Sequence, residues 1–412
     1  MVQTDRTFIN GPVNVARMEG KIDGIKKVIY LFMDVHQAPG NETECDDILS
    51  RDIKDYLIEQ FQKVNDNKMI DFFLESMPSN IPIRKLDEYK GNYINNTIRM
   101  FAKAFKKSAK GEVIVNKMFP TIRFHHMDPR DYFEWTTFSS FKNIIDSVDG
   151  IWRSLYLMPT DLDFISERMT MINEWMDIVY TYFFKDNIEK AKDIIAKKKP
   201  IVPATPEESH AMTFEDLTAQ TLSLIKKIKT RYTHKSVMKG VNEILNTYVK
   251  KSYDNYIRLD KERLKLFDDI RRRLVNGRVL NTDEADPTWG TPFKITVKSL
   301  AELEIHMDAM NREYMDFFVG IMDVYFLRRL LDKDYITNVV AYTGIMHSMN
   351  YVYYLSKYFG FKITHIDYVD PKVKDYNREV EKSKGPKDLA NIFYPQILKQ
   401  CSDLSNFPKN FD

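Results

Sequence analysis

The residues best placed to do chemistry stand at the ends of apolar runs. Val28 to Phe32 carries no charge, and Asp34 and His36 follow it, two positions apart, before the breakers Pro39, Gly40 and Asn41. A second run, Met69 to Leu74, ends in Glu75. A third, Phe119 to Met127, carries Arg123, His125 and His126 and leads into Asp128, with Arg130 and Asp131 just beyond Pro129. Late in the chain, Ile336 to Tyr342 is followed by Gly344 and His347. The chemistry such a set can perform is hydrolysis. An imidazole, with an ordinary pKa of about 6.5, takes or gives a proton at neutral pH, and a carboxylate orients the water it activates.

Each of these residues also has a plain structural reading. An Asp-x-His after a strand can be a loop hydrogen-bonded to its own backbone, and Glu75 can cap the following turn. His125 and His126 point to opposite faces of a strand, so at most one of them faces a site. Asp128, Arg130 and Asp131 read as an ion-paired helix start after Pro129. His365 and Asp367 read as decoration of a last strand, and His210, His234 and His306 lack ligand spacing.

The elements that must position these groups are strands followed by polar loops. In open α/β sheets ligands bind at the carboxyl ends of the strands, which is where Asp34, His36 and Glu75 fall. Residues 1 to 20 read as an irregular lead-in. Helical spacing is expected over Cys45 to Val64, Tyr93 to Lys107 and Ser348 to Tyr358, the last stopping at Gly360. Phe361 to Tyr368 reads as a last strand and Leu389 to Gln400 as a short helix. Between Pro129 and Asp334 the apolar positions recur at three-and-four spacing with almost no glycine, a long helical block. A proline-bearing loop at 197–208 and an acidic stretch at 279–292 interrupt it, the latter a lid or a long connection.

The expected fold is therefore α/β, with a small central sheet built from residues 1–130 and 335–412 and an all-helical insertion over 131–334. At 412 residues and 43% hydrophobic content the chain has the means to bury a large core. Lysine and arginine (61) nearly balance aspartate and glutamate (59), which gives no general attraction to nucleic acid or anionic membrane. The Arg271 to Arg273 run and the lysines from Lys226 to Lys239 read as solvated helix faces. Met169, Met171 and Met176 read as adaptable core, and no P-loop or dinucleotide fingerprint is present. Cys45 and Cys401 are too few for a disulfide framework and point to a reducing compartment, with Cys45 a buried thiol. With no signal-like or membrane-length apolar segment, the expected setting is the cytoplasm, and the expected partner a small-molecule or peptide substrate.

The segments "IYLFMDVH", "DFFLES", "IRFHHMD" and "VVAYTGIMHSMNYVYYLSKYFGFK", taken in this order, resemble the erythromycin-esterase-like, ChaN-like and TIKI/TraB-like superfamily. The first segment looks most like the branch found in large DNA viruses of amoebae, which would place the protein in a host cytoplasm or a virion. The resemblance implies that Gly344 and His347 form the late Gly-x-x-His motif, that His36 is the first histidine, and that Glu75 is the second-strand carboxylate. It departs at Met33, where glycine is expected, and at Asp34, where glutamate is expected. Two versions of hydrolysis are implied. In one, His36, His347 and Glu75 hold a divalent metal that acidifies its water. In the other, His36 or His347 activates water directly, Glu75 or Asp34 assists, and Arg123 or Arg130 steadies the oxyanion. The alternative is a viral structural or interaction protein that keeps the scaffold without catalysis.

Overall fold

A computed structural model of the chain describes residues 6–40, 44–65, 67–76, 91–105, 116–129, 138–154, 157–185, 223–279 and 291–411. The strands are β1 (Phe8–Asn10), β2 (Asn14–Ile22), β3 (Ile25–Asp34), β4 (Arg51–Asp52), β5 (Ile70–Leu74), β6 (Ile122–His126), β7 (Asn338–Gly344), β8 (Lys362–Ile366) and β9 (Cys401–Asp403). The helices are α1 (Ile53–Gln62), α2 (Tyr93–Ala104), α3 (Phe138–Ser154), α4 (Pro159–Phe184), α5 (Lys235–Ile244), α6 (Lys250–Val279), α7 (Thr291–Leu331), α8 (Ile345–Phe359), α9 (Tyr376–Lys382) and α10 (Ala390–Phe393). The α/β class expected from the sequence is what is observed. Arg130, the 197–208 loop and nearly all of the 279–292 stretch lie outside the described residues.

The chain divides into two compact units. One comprises Met1–Pro129, Tyr232–Val241 and Met322–Asp412, and the other Arg130–Arg231 and Asn242–Ile321. Residues 232–241 and 322–334, expected within the helical insertion, thus cluster with the sheet.

The first unit is built on a six-stranded sheet in the order β6-β5-β7-β3-β2-β8. β6, β5, β7 and β3 are mutually parallel, and β2 runs antiparallel to both β3 and β8. Central parallel strands are buried on both faces, which is why β3 from Val28 onward and β7 read as apolar runs, and why the one charge inside β5, Asp71, is itself buried. On one face Phe32, Phe72 and Tyr342 join a core with Tyr56 and Phe61 of α1 and Phe101 of α2. On the other, the ring of Phe73 meets Phe326 at 5.1 Å, and Phe326 meets Tyr351 of α8 at 4.3 Å.

The N-terminal lead-in is not irregular. β2 and β3 form a hairpin that turns at Asp23-Gly24, with Ile22 paired to Ile25 and both turn residues at positive φ (46° and 89°). An Asp-Gly pair between apolar residues is the standard signal for such a turn. β1 lies in a second, three-stranded sheet of order β4-β1-β9. There the two cysteines are joined, Cys45 to Cys401, across 356 positions. This corrects the expectation of free thiols. Asn10 pairs with Cys401 in the strand register and also accepts the backbone N–H of Cys45 at 3.0 Å, so one residue brings both cysteines together. The helix expected from Cys45 accordingly begins only at Ile53.

The second unit is helical in its described part. Tyr180 stacks on Tyr253 with centroids 3.7 Å apart, and the Tyr256 hydroxyl donates to Asn173 at 2.7 Å. The Arg271 to Arg273 run is ion-paired, with Asp163, Asp269 and Glu302 among its partners. Among the described residues no helix is long and apolar enough to cross a membrane.

Candidate active site at the ends of three parallel strands

Three adjacent strands, β5, β7 and β3, end together. Their register sets Leu74 beside Tyr342 and Asp34 beside Gly344, so the residues after each strand emerge at one edge of the sheet. Glu75 follows β5 directly, and its N–H donates to the Tyr342 carbonyl at 3.1 Å. His36 lies two residues beyond β3 in a left-handed conformation (φ 56°), which costs a non-glycine residue energy and persists only where neighbours hold it. They do: its N–H donates to the Asp34 carboxylate, and its carbonyl accepts from Asn92 Nδ2 at 3.3 Å. His347 sits in the first turn of α8, which starts at Ile345 rather than Ser348 because Gly344 is its N-cap.

The three side chains converge. His36 Nε2 stands 3.9 Å from Glu75 Oε2, and His347 Nε2 stands 3.8 Å from Glu75 Oε1. Glu75 and His347 are nearly buried, whereas the His36 side chain is 44% exposed. The Gly344 N–H donates to Glu75 Oε2 at 2.6 Å, fixing the carboxylate at the electropositive start of α8. A Cβ on Gly344 would lie 2.8 Å from His36 Nε2 and 3.4 Å from Glu75 Oε2. Glycine is needed there for space rather than for its backbone freedom.

Each histidine has a buried carboxylate behind it. His347 Nδ1 is 2.7 Å from Asp323 Oδ1, and Asn350 Nδ2 donates to Asp323 Oδ2 at 2.6 Å. His36 Nδ1 is 3.7 Å from Asp34 Oδ1. Burial pushes the carboxyls of both Asp34 and Asp323 up, opposed by the hydrogen bonds they accept, from Tyr342 in the first case and His347 in the second.

His36, Glu75 and His347 are therefore brought together, while two other candidates play different parts from those expected. Asp34 has a fully buried side chain, hydrogen-bonded by the Tyr342 hydroxyl and the His36 N–H, so it braces the His36 loop. Arg123 is not at the site. It pairs with Asp71 in the strand register, four residues and about 13 Å upstream of Glu75. Its Nε and Nη2 grip the Asp71 carboxylate at 2.8 and 2.6 Å. His125 joins the same carboxylate at 2.7 Å and takes Arg329 Nη2 at 2.8 Å on Nδ1. Arginine can only donate, so this ring carries its proton on Nε2 and is neutral. Burial pushes the His125 pKa down, in keeping with that state. His126 Nδ1 meets Ser76 Oγ at 2.7 Å instead.

Asp323 and Asn350 were not among the sequence candidates. Asp323 had a signal, as a lone carboxylate in the otherwise apolar stretch Phe317 to Leu327, and Asn350 lies three residues from His347 on one helix face. The metal version needs His36, His347 and Glu75 as ligands. Their N···O spacings of 3.8 and 3.9 Å exceed the edge of about 3.3 Å expected of a tetrahedral zinc site. Among the described residues no group of three His, Cys, Asp or Glu side chains is arranged to hold a metal ion. As arranged, the three side chains do not close on an ion.

Comparison with known proteins adds kinship without an activity. A family described as "Family of unknown function (DUF5847)" matches residues 7–412. "Uncharacterized protein R706" of Acanthamoeba polyphaga mimivirus is 31% identical over 98% of this chain and 97% of its own length. "Uncharacterized protein R161" of the same virus is also 31% identical, over 98% of both chains, and "Uncharacterized protein R160" is 29% identical over 98% and 97%. No solved structure matches the chain. The giant-virus affinity read from the sequence is supported, whereas none of these comparisons supports the likeness to the esterase, ChaN and TIKI proteins.

Proposed function

Since the chain belongs to DUF5847, a family of unknown function, we propose its activity from the site alone: it is a hydrolase that activates water with histidine and carboxylate. The observation that carries this reading is the meeting of His36 Nε2 and His347 Nε2 on the two oxygens of one carboxylate, Glu75. The gaps are too long for direct hydrogen bonds, and a single water set between the groups can bond to all three. His347, the buried imidazole, takes the proton of that water while Glu75 orients it. His36, the more exposed imidazole, hands a proton to the leaving group. The start of α8 supplies the electropositive end beside which a developing oxyanion is stabilised, the part that Arg123 cannot play.

The test is a hydrolysis screen over carboxylic esters, lactones and peptides with the wild type and the variants His36→Ala, Glu75→Gln and His347→Ala. Turnover that falls by about 10²-fold or more in each folded variant is expected. A folded wild type inactive on every class would favour the other reading, a viral structural or interaction protein on the same scaffold. Metal analysis of the same proteins addresses the metal-assisted version. A stoichiometric ion in the wild type, lost from His36→Ala and His347→Ala, would restore it.

A further inference from the structure

We infer that Asp323, oriented by Asn350, is the positioning residue that fixes His347 with its proton on Nδ1 and its Nε2 lone pair turned to Glu75. The inference deepens the hydrolytic reading above and rests on it for its purpose, though not for its geometry. Asp323 is fully buried near the end of α7, and its two oxygens are both used, Oδ1 by His347 Nδ1 at 2.7 Å and Oδ2 by Asn350 Nδ2 at 2.6 Å. An amide nitrogen is only a donor, so Asn350 holds Oδ2 as an acceptor and turns Oδ1 to the imidazole. A carboxylate there demands an N–H from the ring, and a neutral imidazole with its proton on Nδ1 has a bare Nε2. Nε2 is the atom that faces Glu75, 3.8 Å away. His347 and Asn350 are one turn apart on α8, so a single carboxylate anchors that face of the helix and sets the tautomer together.

The pairing makes an uncommon demand on a conservative change. In Asp323→Asn the Asn350 amide claims the new side-chain oxygen, which leaves the new NH₂ facing His347 Nδ1. That nitrogen must then accept, and the proton moves to Nε2. The experiment is long-range proton–nitrogen NMR at pH 8 on full-length protein labelled with ¹⁵N-histidine, with the His347 signals assigned by His347→Gln. The expected wild-type ring carries its proton on Nδ1 alone, and the expected Asp323→Asn ring carries it on Nε2 alone. A wild-type ring protonated on Nε2, or on both nitrogens, would overturn the inference, as would a folded Asp323→Asn protein with an unchanged ring. Should that variant not fold, the wild-type spectrum decides by itself. The tautomer is read without any substrate, so an inactive protein with the expected ring would sink the hydrolytic reading and leave this inference standing. With a substrate in hand, Asp323→Asn should lower kcat by about 10²- to 10⁴-fold and leave KM little changed.

Discussion

At Gly344 a side chain would collide with the site for a local reason. Its missing Cβ would stand 2.8 Å from His36 Nε2, the far end of a half-exposed ring. In Gly344→Ala that ring moves aside and the backbone, whose φ of −54° suits alanine, does not. We expect stability within about 1 kcal/mol of wild type, because the ring has solvent to move into. Hydrolysis should fall about 10²-fold, the cost of roughly an ångström of misplacement. Denaturant unfolding beside turnover separates the two effects. Asp367 gives a second prediction. Burial pushes its carboxyl up to about 6, against hydrogen bonds from Ser402 and the Asp403 backbone. The folded chain thus binds more protons than the unfolded chain, whose aspartates titrate at about 3.9, and stability falls as pH rises from about 4 to 6. Asp367→Asn should remove that slope. It should match the wild type near pH 4 and exceed it by about 1–3 kcal/mol at pH 7. Urea denaturation across this range would show the two curves diverging, and parallel curves would contradict the assignment.

At the scale of elements, the Asp71 cluster ties β5 and β6 to the last turns of α7. Burial pushes the Asp71 carboxyl up, but the hydrogen bonds from Arg123 and His125 outweigh it and hold the group below its ordinary value. The stability this supplies is present above the unfolded pKa of about 3.9 and is lost as pH falls below it. Asp71→Asn leaves the Arg123 guanidinium without its anion, at an expected cost of about 3 kcal/mol in urea denaturation at pH 7. The same elements mark what could be read in advance. β3, β5, β7 and α8 were legible because strands buried on both faces and an amphipathic helix leave local patterns. β2 was not, because its polar residues are satisfied at long range. Asn14 Nδ2 donates to the carbonyls of Tyr368 and Phe393, and Arg17 Nε to the Tyr30 hydroxyl, so they face no solvent and break the expected pattern. The site divides in the same way. Glu75, His36 and His347 follow strand ends and could be picked out. Arg123 was misplaced because its partner, Asp71, is fixed only by strand pairing.

Over the whole molecule, one covalent bond links the segment just past the first catalytic candidate to the far end of the chain. Cys45 lies nine residues beyond His36, on a segment that reaches β4 without regular structure, and Cys401 opens β9. Around the bond, Lys399 pairs with Asp46 at 2.6 Å and the Gly11 N–H donates to the Gln400 carbonyl at 2.9 Å. The ion pair, at exposed positions, holds weakly by itself, whereas the Gly11–Gln400 bond lies between buried residues. The disulfide thus joins the β1–β4 pairing and the Cys45 N–H bond to Asn10 in restraining the chain between Cys45 and α1. It closes a loop of 356 positions, which in the chain-entropy account contributes about 6 kcal/mol, an upper figure because real unfolded chains are compact. Purified without reductant, the protein should carry no free thiol by mass spectrometry after alkylation. Reduction, or the double change Cys45→Ser with Cys401→Ser, should lower the unfolding midpoint and speed amide exchange across residues 44–52. The Asp71 cluster lies in another part of the same unit, so exchange in β5 and β6 should stay slow under conditions where the fold persists. Equal exchange across 44–52 with and without the bond would show that the small sheet holds this segment unaided.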